Sequence, residues 1–152
     1  MLYLLLIVAI AVVDQIIKYV VANQLGMGNQ IEVIKNFFYI HCIPNHGIAF
    51  GKMENMQPLV ITVTAALMIG ISVYIFLKRK KESPLMLTIL AMIVGGGVGN
   101  IIDRILLGYV VDYLDFRVWS YIFNFADICV VVGCFAMMGL VLFDSWKEKE
   151  TK

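Results

Sequence analysis

Charge is scarce in this chain. Lys, Arg, Asp and Glu together supply 15% of the 152 residues, whereas hydrophobic residues reach 61%; a soluble domain carries about 25% charged residues. With a mean hydropathy of +0.88, the composition excludes an ordinary soluble domain and points to an integral membrane protein. The net charge of +1 leaves no basic surplus to hold nucleic acid. Cysteine is limited to Cys42, Cys129 and Cys134, and no two of them form a CxxC pair, so zinc-ribbon and thioredoxin-like readings lose their basis. Cys129 and Cys134 lie in an apolar stretch and read as small core residues. Cys42 stands beside His41 and near His46, without the further ligand pattern that a metal site requires. Neither an internal repeat nor a flexible linker interrupts the chain, which reads as one domain over 1–152. No basic segment precedes the first apolar run, Asp14 interrupts it, and no A-x-A pattern follows it, so that run is read as a retained helix rather than a cleaved signal peptide.

What is present is four long apolar stretches, at about 1–22, 59–77, 85–102 and 122–143. Each has 18 to 22 residues, close to the roughly 20 that an α-helix needs to cross about 30 Å of hydrocarbon. The pattern predicts four transmembrane helices. Seven of the twelve basic residues fall in two places, Lys78-Arg79-Lys80-Lys81 between the second and third stretches and Lys147, Lys149 and Lys152 in the tail. Basic residues accumulate on the cytoplasmic side, so both termini and the basic loop are expected inside. The segments at about 23–58 and 103–121 are then expected outside. The first of these alternates polar and apolar residues in Gln30-Ile31-Glu32-Val33-Ile34 and continues with Phe37-Phe38-Tyr39-Ile40, which reads as short strands of a small sheet lying on the membrane. Gly47 to Gly51, with Met53 and Met56, is expected to form a turn and a short interfacial helix.

The chemistry is carried by a few polar residues set into this apolar background. Asp112 and Asp127 are fifteen residues apart, each beside an apolar or aromatic stretch. An acid at the edge of a bilayer is costly and marks a functional site by default. A helix cap or a solvated acid accounts for Asp115 and Asp144, but poorly for Asp127, whose apolar and aromatic neighbours demand a partner. Two carboxyls at one site split their pKa values, leaving one charged and one protonated, which suits general base and general acid work in peptide hydrolysis. Asp14 and Lys18 are four apart and share a helix face; they read as a paired charge that tolerates burial and holds a loop from below. Gly95 and Gly99 in Gly95-Gly96-Gly97-Val98-Gly99-Asn100 form a GxxxG, read as close helix packing, since no phosphate-loop lysine follows. Asn100, Asp103 and Arg104 are polar groups at the end of the third stretch, where Arg104 supplies a fixed cation for a carboxylate or carbonyl. Asn45 offers a donor and an acceptor, and Gly47 permits a tight backbone approach.

Taken in order, Asp14-Gln15-Ile16-Ile17-Lys18, Asn45-x-Gly47-x-Ala49-Phe50, Gly95 to Arg104, Val110-Val111-Asp112-Tyr113 and Phe123-Asn124-Phe125-Ala126-Asp127 resemble the lipoprotein signal peptidase (signal peptidase II) family across nearly the whole chain. Each motif is weak alone; five in order across four apolar stretches are specific. The resemblance implies a bacterial membrane aspartic peptidase in the plasma membrane, an all-α integral membrane fold of four transmembrane helices with a small extracytoplasmic β-sheet. It implies that Asp112 and Asp127 form the catalytic pair near the outer face. Asn45, Gly47, Asn100, Arg104 and Asn124 would line the site and position substrate, and Asp14 and Lys18 would support the scaffold. The implied substrates are diacylglyceryl-modified prolipoproteins cut before the lipobox cysteine, the other partners are membrane lipids, and the expected state is a monomer. No metal or organic cofactor is implied. Tyr113 stands where the family commonly has phenylalanine, a change expected to be harmless. The rival reading is a small proton- or ion-conducting transporter subunit, with Asp14, Lys18 and Asp127 as its path. It requires polar residues through the depth of several helices, and the second stretch offers only Thr62, Thr64, Ser72 and Tyr74.

Overall fold

The computed structural model describes residues 1–46 and 57–150. Four helices are each long and apolar enough to cross a membrane: α1 (Leu2–Leu25), α2 (Gln57–Lys78), α3 (Pro84–Leu106) and α4 (Phe125–Glu150). Four strands, β1 (Gln30–Ile34), β2 (Phe38–Asn45), β3 (Val110–Phe116) and β4 (Ile122–Phe123), form one antiparallel sheet in chain order. The turn and interfacial helix expected at Gly47 to Met56, and Gly47 itself, lie outside the described residues. The fourth helix starts at Phe125 rather than at 122, because Ile122 and Phe123 pair with Asp115 and Leu114 as β4. Asp127 therefore sits in the first turn of α4 instead of about five residues deep.

Local chemistry explains the helix boundaries. Ser83 caps α3 by accepting a hydrogen bond from the Met86 N–H at 3.1 Å, and Pro84 follows where its missing N–H costs nothing. At the other end of α3 the chain turns into β3 through Leu107, Gly108 and Tyr109, with Gly108 at φ +80°, a conformation that glycine adopts without strain.

Helix α3 is the centre of the bundle, packed against α1, α2 and α4. Its glycines are spread over three faces. A Cβ on Gly95 would meet Ile10 of α1 at 2.8 Å, and one on Gly99 would meet the Asp14 carboxylate at 2.6 Å. A Cβ on Gly96 would meet the Ala126 carbonyl of α4 at 2.5 Å, and one on Gly97 would meet the Met68 sulfur of α2. The run thus lets three neighbouring helices approach one central helix, more than the single face a GxxxG describes. Away from the sheet the packing is apolar, built on Ile75, Leu87, Leu90, Ala91 and Val94.

In the sheet, Ile40 of β2 faces Leu114 of β3 and Ile43 faces Asp112. Two residues of β2, His41 and Cys42, therefore stand opposite the single residue Tyr113, which is a β-bulge. The bulge shifts the alternation of β2 by one residue and brings Asn45 onto the same face as Asp112.

The glycine packing gives a test. Gly96→Ala drives a methyl into a helix carbonyl that cannot move alone, whereas Gly97→Ala meets the flexible end of a methionine. Gly96→Ala is expected to cost about 1–3 kcal/mol and Gly97→Ala less than about 1 kcal/mol, read by thermal unfolding in detergent. The reverse order would refute this packing.

Candidate active site

The site begins with a buried lysine. Lys18 is almost fully buried, and its Nζ lies 2.8 Å from Asp14 Oδ2, 2.9 Å from Asp103 Oδ2 and 2.9 Å from Asn100 Oδ1. An ammonium has three protons to donate, and here three acceptors surround it. Each carboxylate then holds a further element. Asp14 Oδ1 accepts from the Ala126 N–H of α4 at 3.0 Å, and Asp103 Oδ2 accepts from the Val111 N–H of β3 at 3.0 Å. Gln15 donates to Asp103 Oδ1 at 2.8 Å and to the Gly99 carbonyl at 3.1 Å. The Asp14–Lys18 pair thus secures a strand and a helix start as well as its own helix.

Asp112 and Asp127 meet over this base. Asn124 immediately precedes α4, and its Oδ1 accepts from the Asp127 N–H at 2.9 Å while Asp127 Oδ2 accepts from the Asn124 N–H at 3.1 Å. This reciprocal capping box fixes the Asp127 carboxylate at the helix start. The Asn124 Nδ2 donates to Asp112 Oδ1 at 2.6 Å and to Asn100 Oδ1 at 3.1 Å. Asn100 Nδ2 donates to Asp127 Oδ1 at 2.8 Å, and Asn45 Nδ2 donates to Asp112 Oδ2 at 2.6 Å. One residue, Asn124, therefore touches both acids. Arg104 donates to the Asn100 carbonyl at 3.3 Å, and its charge acts on Asp127 and Asp112. Asn45, Asn100, Arg104 and Asp127 line a cavity of about 490 Å³ whose other walls include Leu67, Met68, Tyr121 and Phe123.

Burial pushes Asp112 up from the usual carboxylate range to about 6; the Asn45 and Asn124 amides oppose the rise and the neighbouring Asp127 charge adds to it. Burial likewise raises Tyr113, which stays a neutral phenol whose oxygen accepts from the Phe125 N–H at 3.2 Å. Among the described residues Asp127 opens on the cavity, and Asp112 lies behind Asn45 and Asn124, which hydrogen-bond to it, an arrangement able to hold a proton near neutral pH beside a space for water.

Of the residues singled out in the sequence, Asp14, Lys18, Asn45, Asn100, Arg104, Asp112, Asn124 and Asp127 converge here. Asp103, read from the sequence only as a polar group at the end of the third stretch, and Gln15 also belong to the network. The signal for the role of Asp103 lay in Lys18, since a buried ammonium needs acceptors for three protons, and in the three-residue step from Asn100, which puts both on one helix face. Asp115 is not the solvated acid that the sequence suggests: it is buried, 3.3 Å from His41 Nδ1 and 3.5 Å from Arg117 Nε. His41 faces that carboxylate, whereas Cys42 packs on Met27.

Known proteins similar to this chain match it over nearly its full length. Residues 6–143 match the family model described as signal peptidase (SPase) II. The chain is 39% identical over 150 residues to the lipoprotein signal peptidase of Clostridioides difficile, covering 98% of this chain and 100% of that one. It is 41% identical over 138 residues to that of Symbiobacterium thermophilum, covering 88% and 89%. A bacterial membrane enzyme solved by the in meso method at 2.3 Å superposes with a TM-score of 0.85 at 31% identity, covering 99% of this chain and 93% of that one. Sequence and fold therefore agree over nearly the full length, and the chain belongs to the signal peptidase II family of membrane peptidases.

Proposed function

We propose that Asp112 and Asp127 act as an aspartic dyad that cuts diacylglyceryl-modified prolipoproteins just before the lipidated cysteine, near the outer face of a bacterial plasma membrane. Family membership makes the chain a multi-pass membrane peptidase that removes signal peptides from prolipoproteins. The observation that carries the dyad is Asn124, which donates to Asp112 through its side chain and to Asp127 through its backbone. Burial raises the Asp112 carboxyl and the neighbouring Asp127 charge adds to the rise, so Asp112 keeps its proton to higher pH than a free acid.

In the reaction, one carboxylate takes a proton from water as the oxygen attacks the scissile carbonyl. The other acid protonates the carbonyl oxygen, and a proton then passes to the departing amine as the C–N bond breaks. The products are a signal peptide ending in a carboxylate and a lipoprotein beginning with a free amine. Arg104, a fixed cation beside the cavity, holds a substrate carbonyl, while Asn45 and Asn100 orient the acids. The basic loop Lys78-Arg79-Lys80-Lys81 and the lysines of the tail favour a cytoplasmic location for both termini, which puts the sheet and the acids on the outer side. One chain carries both acids and the side chains that hold them, so a monomer suffices for a substrate that shares its bilayer. An ion path finds no support: the core away from the sheet consists of Ile75, Leu87, Leu90, Ala91 and Val94.

Asp112→Asn and Asp127→Asn are each expected to lower cleavage of a diacylated lipobox peptide by at least about 100-fold, with the protein still folded in the membrane. Turnover near the wild-type rate in either variant would rule out the dyad.

The Asp112 carboxyl also sets a pH dependence of stability. Its folded value of about 6 lies above the unfolded 3.8, so folded protein holds this proton more tightly. The associated stability is present below about pH 3.8 and is lost as pH rises to about 6, by at most about 3 kcal/mol at 1.36 kcal/mol per pH unit. Asp112→Asn is therefore expected to gain stability relative to wild type between about pH 4 and about pH 7, measured by thermal unfolding in detergent. A constant difference would contradict the elevated carboxyl.

A further inference from the structure

The hairpin tip between β3 and β4 carries an aromatic cluster that the peptidase reading does not use. Trp119 is 62% exposed, and its neighbour Val118 is 64% exposed. The indole stands edge-on to Phe116 and to Phe123, each at 6.0 Å, and Phe116 in turn stacks on Phe38 at 4.7 Å. The tip is held by its backbone, with the Trp119 N–H donating to the Phe116 carbonyl at 2.9 Å and the Arg117 N–H to the Phe37 carbonyl at 3.0 Å. The side chain is therefore displayed on a fixed turn. Among the described residues its indole N–H meets no hydrogen-bond partner.

Its height relative to the bilayer follows from the helices. Phe123 lies two residues before α4, a helix apolar enough to span a membrane from Phe125 onward. The Ala126 N–H reaches Asp14 Oδ1, so the first turn of α4 is level with Asp14 of α1. Six residues beyond Asp14, about 9 Å further along the helix, α1 still turns Ile16, Tyr19 and Val20 outward at 48–71% exposure. The apolar surface of the molecule thus continues above the level of Phe123, and Trp119 packs directly on Phe123. Through Phe123 the exposed indole adjoins the start of the spanning helix α4.

We propose that the β3–β4 tip, through Trp119 and Val118, is an interfacial lipid anchor seated at the boundary between headgroups and acyl chains of the leaflet on the sheet side. Tryptophan suits that layer because its ring is apolar and its N–H can donate to a headgroup oxygen. The tip is linked directly to the active site: Tyr121 and Phe123 line the cavity that holds Asp127, so the anchor sets the depth at which the acids meet a membrane-embedded substrate. Seating of the tip in the interface requires neither acid, and fluorescence quenching detects it without substrate.

The chain has two tryptophans, so a Trp146→Phe variant leaves Trp119 as the sole indole reporter. The full-length variant is reconstituted in phosphatidylglycerol–phosphatidylethanolamine vesicles, with lipids brominated near the top or near the end of the acyl chain. Trp119 fluorescence is expected to be quenched more by the shallow bromines than by the deep ones, and aqueous iodide is expected to quench it at least about threefold less than free tryptophan. Iodide quenching like that of free tryptophan, without bromine quenching, would place the tip in water and overturn the proposal. So would protection from both quenchers, which would mean that a second copy of the chain covers the indole. Trp119→Tyr and Trp119→Ser, assayed on substrate in the same vesicles, supply a second reading. The serine variant is expected to raise KM several-fold with kcat little changed, and tyrosine to restore it; equal KM values in wild type, Tyr and Ser variants would also overturn the anchor.

Discussion

A single ammonium group organises the active end of this protein. Lys18 is buried among Asp14, Asp103 and Asn100, and a buried charge is tolerated only when it is paired and hydrogen-bonded. The two carboxylates that neutralise it carry their remaining acceptor capacity outward, to the start of α4 through Ala126 and to the start of β3 through Val111. Asn100 relays the third contact to Asp127 and Asn124. One charge on α1 thereby fixes the two segments, β3 and α4, that bear Asp112 and Asp127. Removing one member of such a buried set typically costs about 3–5 kcal/mol, because the others are left uncompensated.

The beginning of α4 shows how thoroughly this end is specified. The first amides of a helix have no partner within it. Here the Phe125 N–H is taken by the Tyr113 hydroxyl, the Ala126 N–H by Asp14 and the Asp127 N–H by Asn124. Three side chains from three segments converge on three consecutive amides, and the third of these residues is Asp127. Tyr113, expected to be a harmless replacement for phenylalanine, contributes one of these bonds. Precise placement of a reacting group is worth a large share of an enzymatic rate, and in the proposed dyad Asp127 is placed by saturating the backbone donors around it.

The sequence disclosed much of this. The four helices follow from apolar runs of spanning length, and β1 from alternation in Gln30 to Ile34. The strand β3 was harder to see, because Val110 to Phe116 carries Asp112 and Asp115 toward opposite faces of the sheet and both are buried. That pattern mimics neither a half-exposed strand nor an apolar run. The bulge at His41 and Cys42 was hidden for a related reason: a one-residue change of register leaves no trace in composition, yet it brings Asn45 to Asp112. The burial of Asp115 leaves little trace in the sequence, because its partners His41 and Arg117 are distant in the chain or on its own turn. That Asp127 needs a partner was legible from cost, since acids in apolar surroundings require one, and its pairing with Asp112 was implied by the family resemblance; the side chains that hold the two acids are Asn45, Asn100 and Asn124.

The dependence of the acids on the buried lysine is tested most directly by hydrogen exchange at two amides, Ala126 and Val111, in a Lys18→Met variant. These donate to Asp14 and Asp103, the carboxylates that Lys18 neutralises. The account predicts that both amides lose protection together while the centres of the helices keep theirs, and that cleavage falls with them. Unchanged protection at both amides, with cleavage at the wild-type rate, would contradict it.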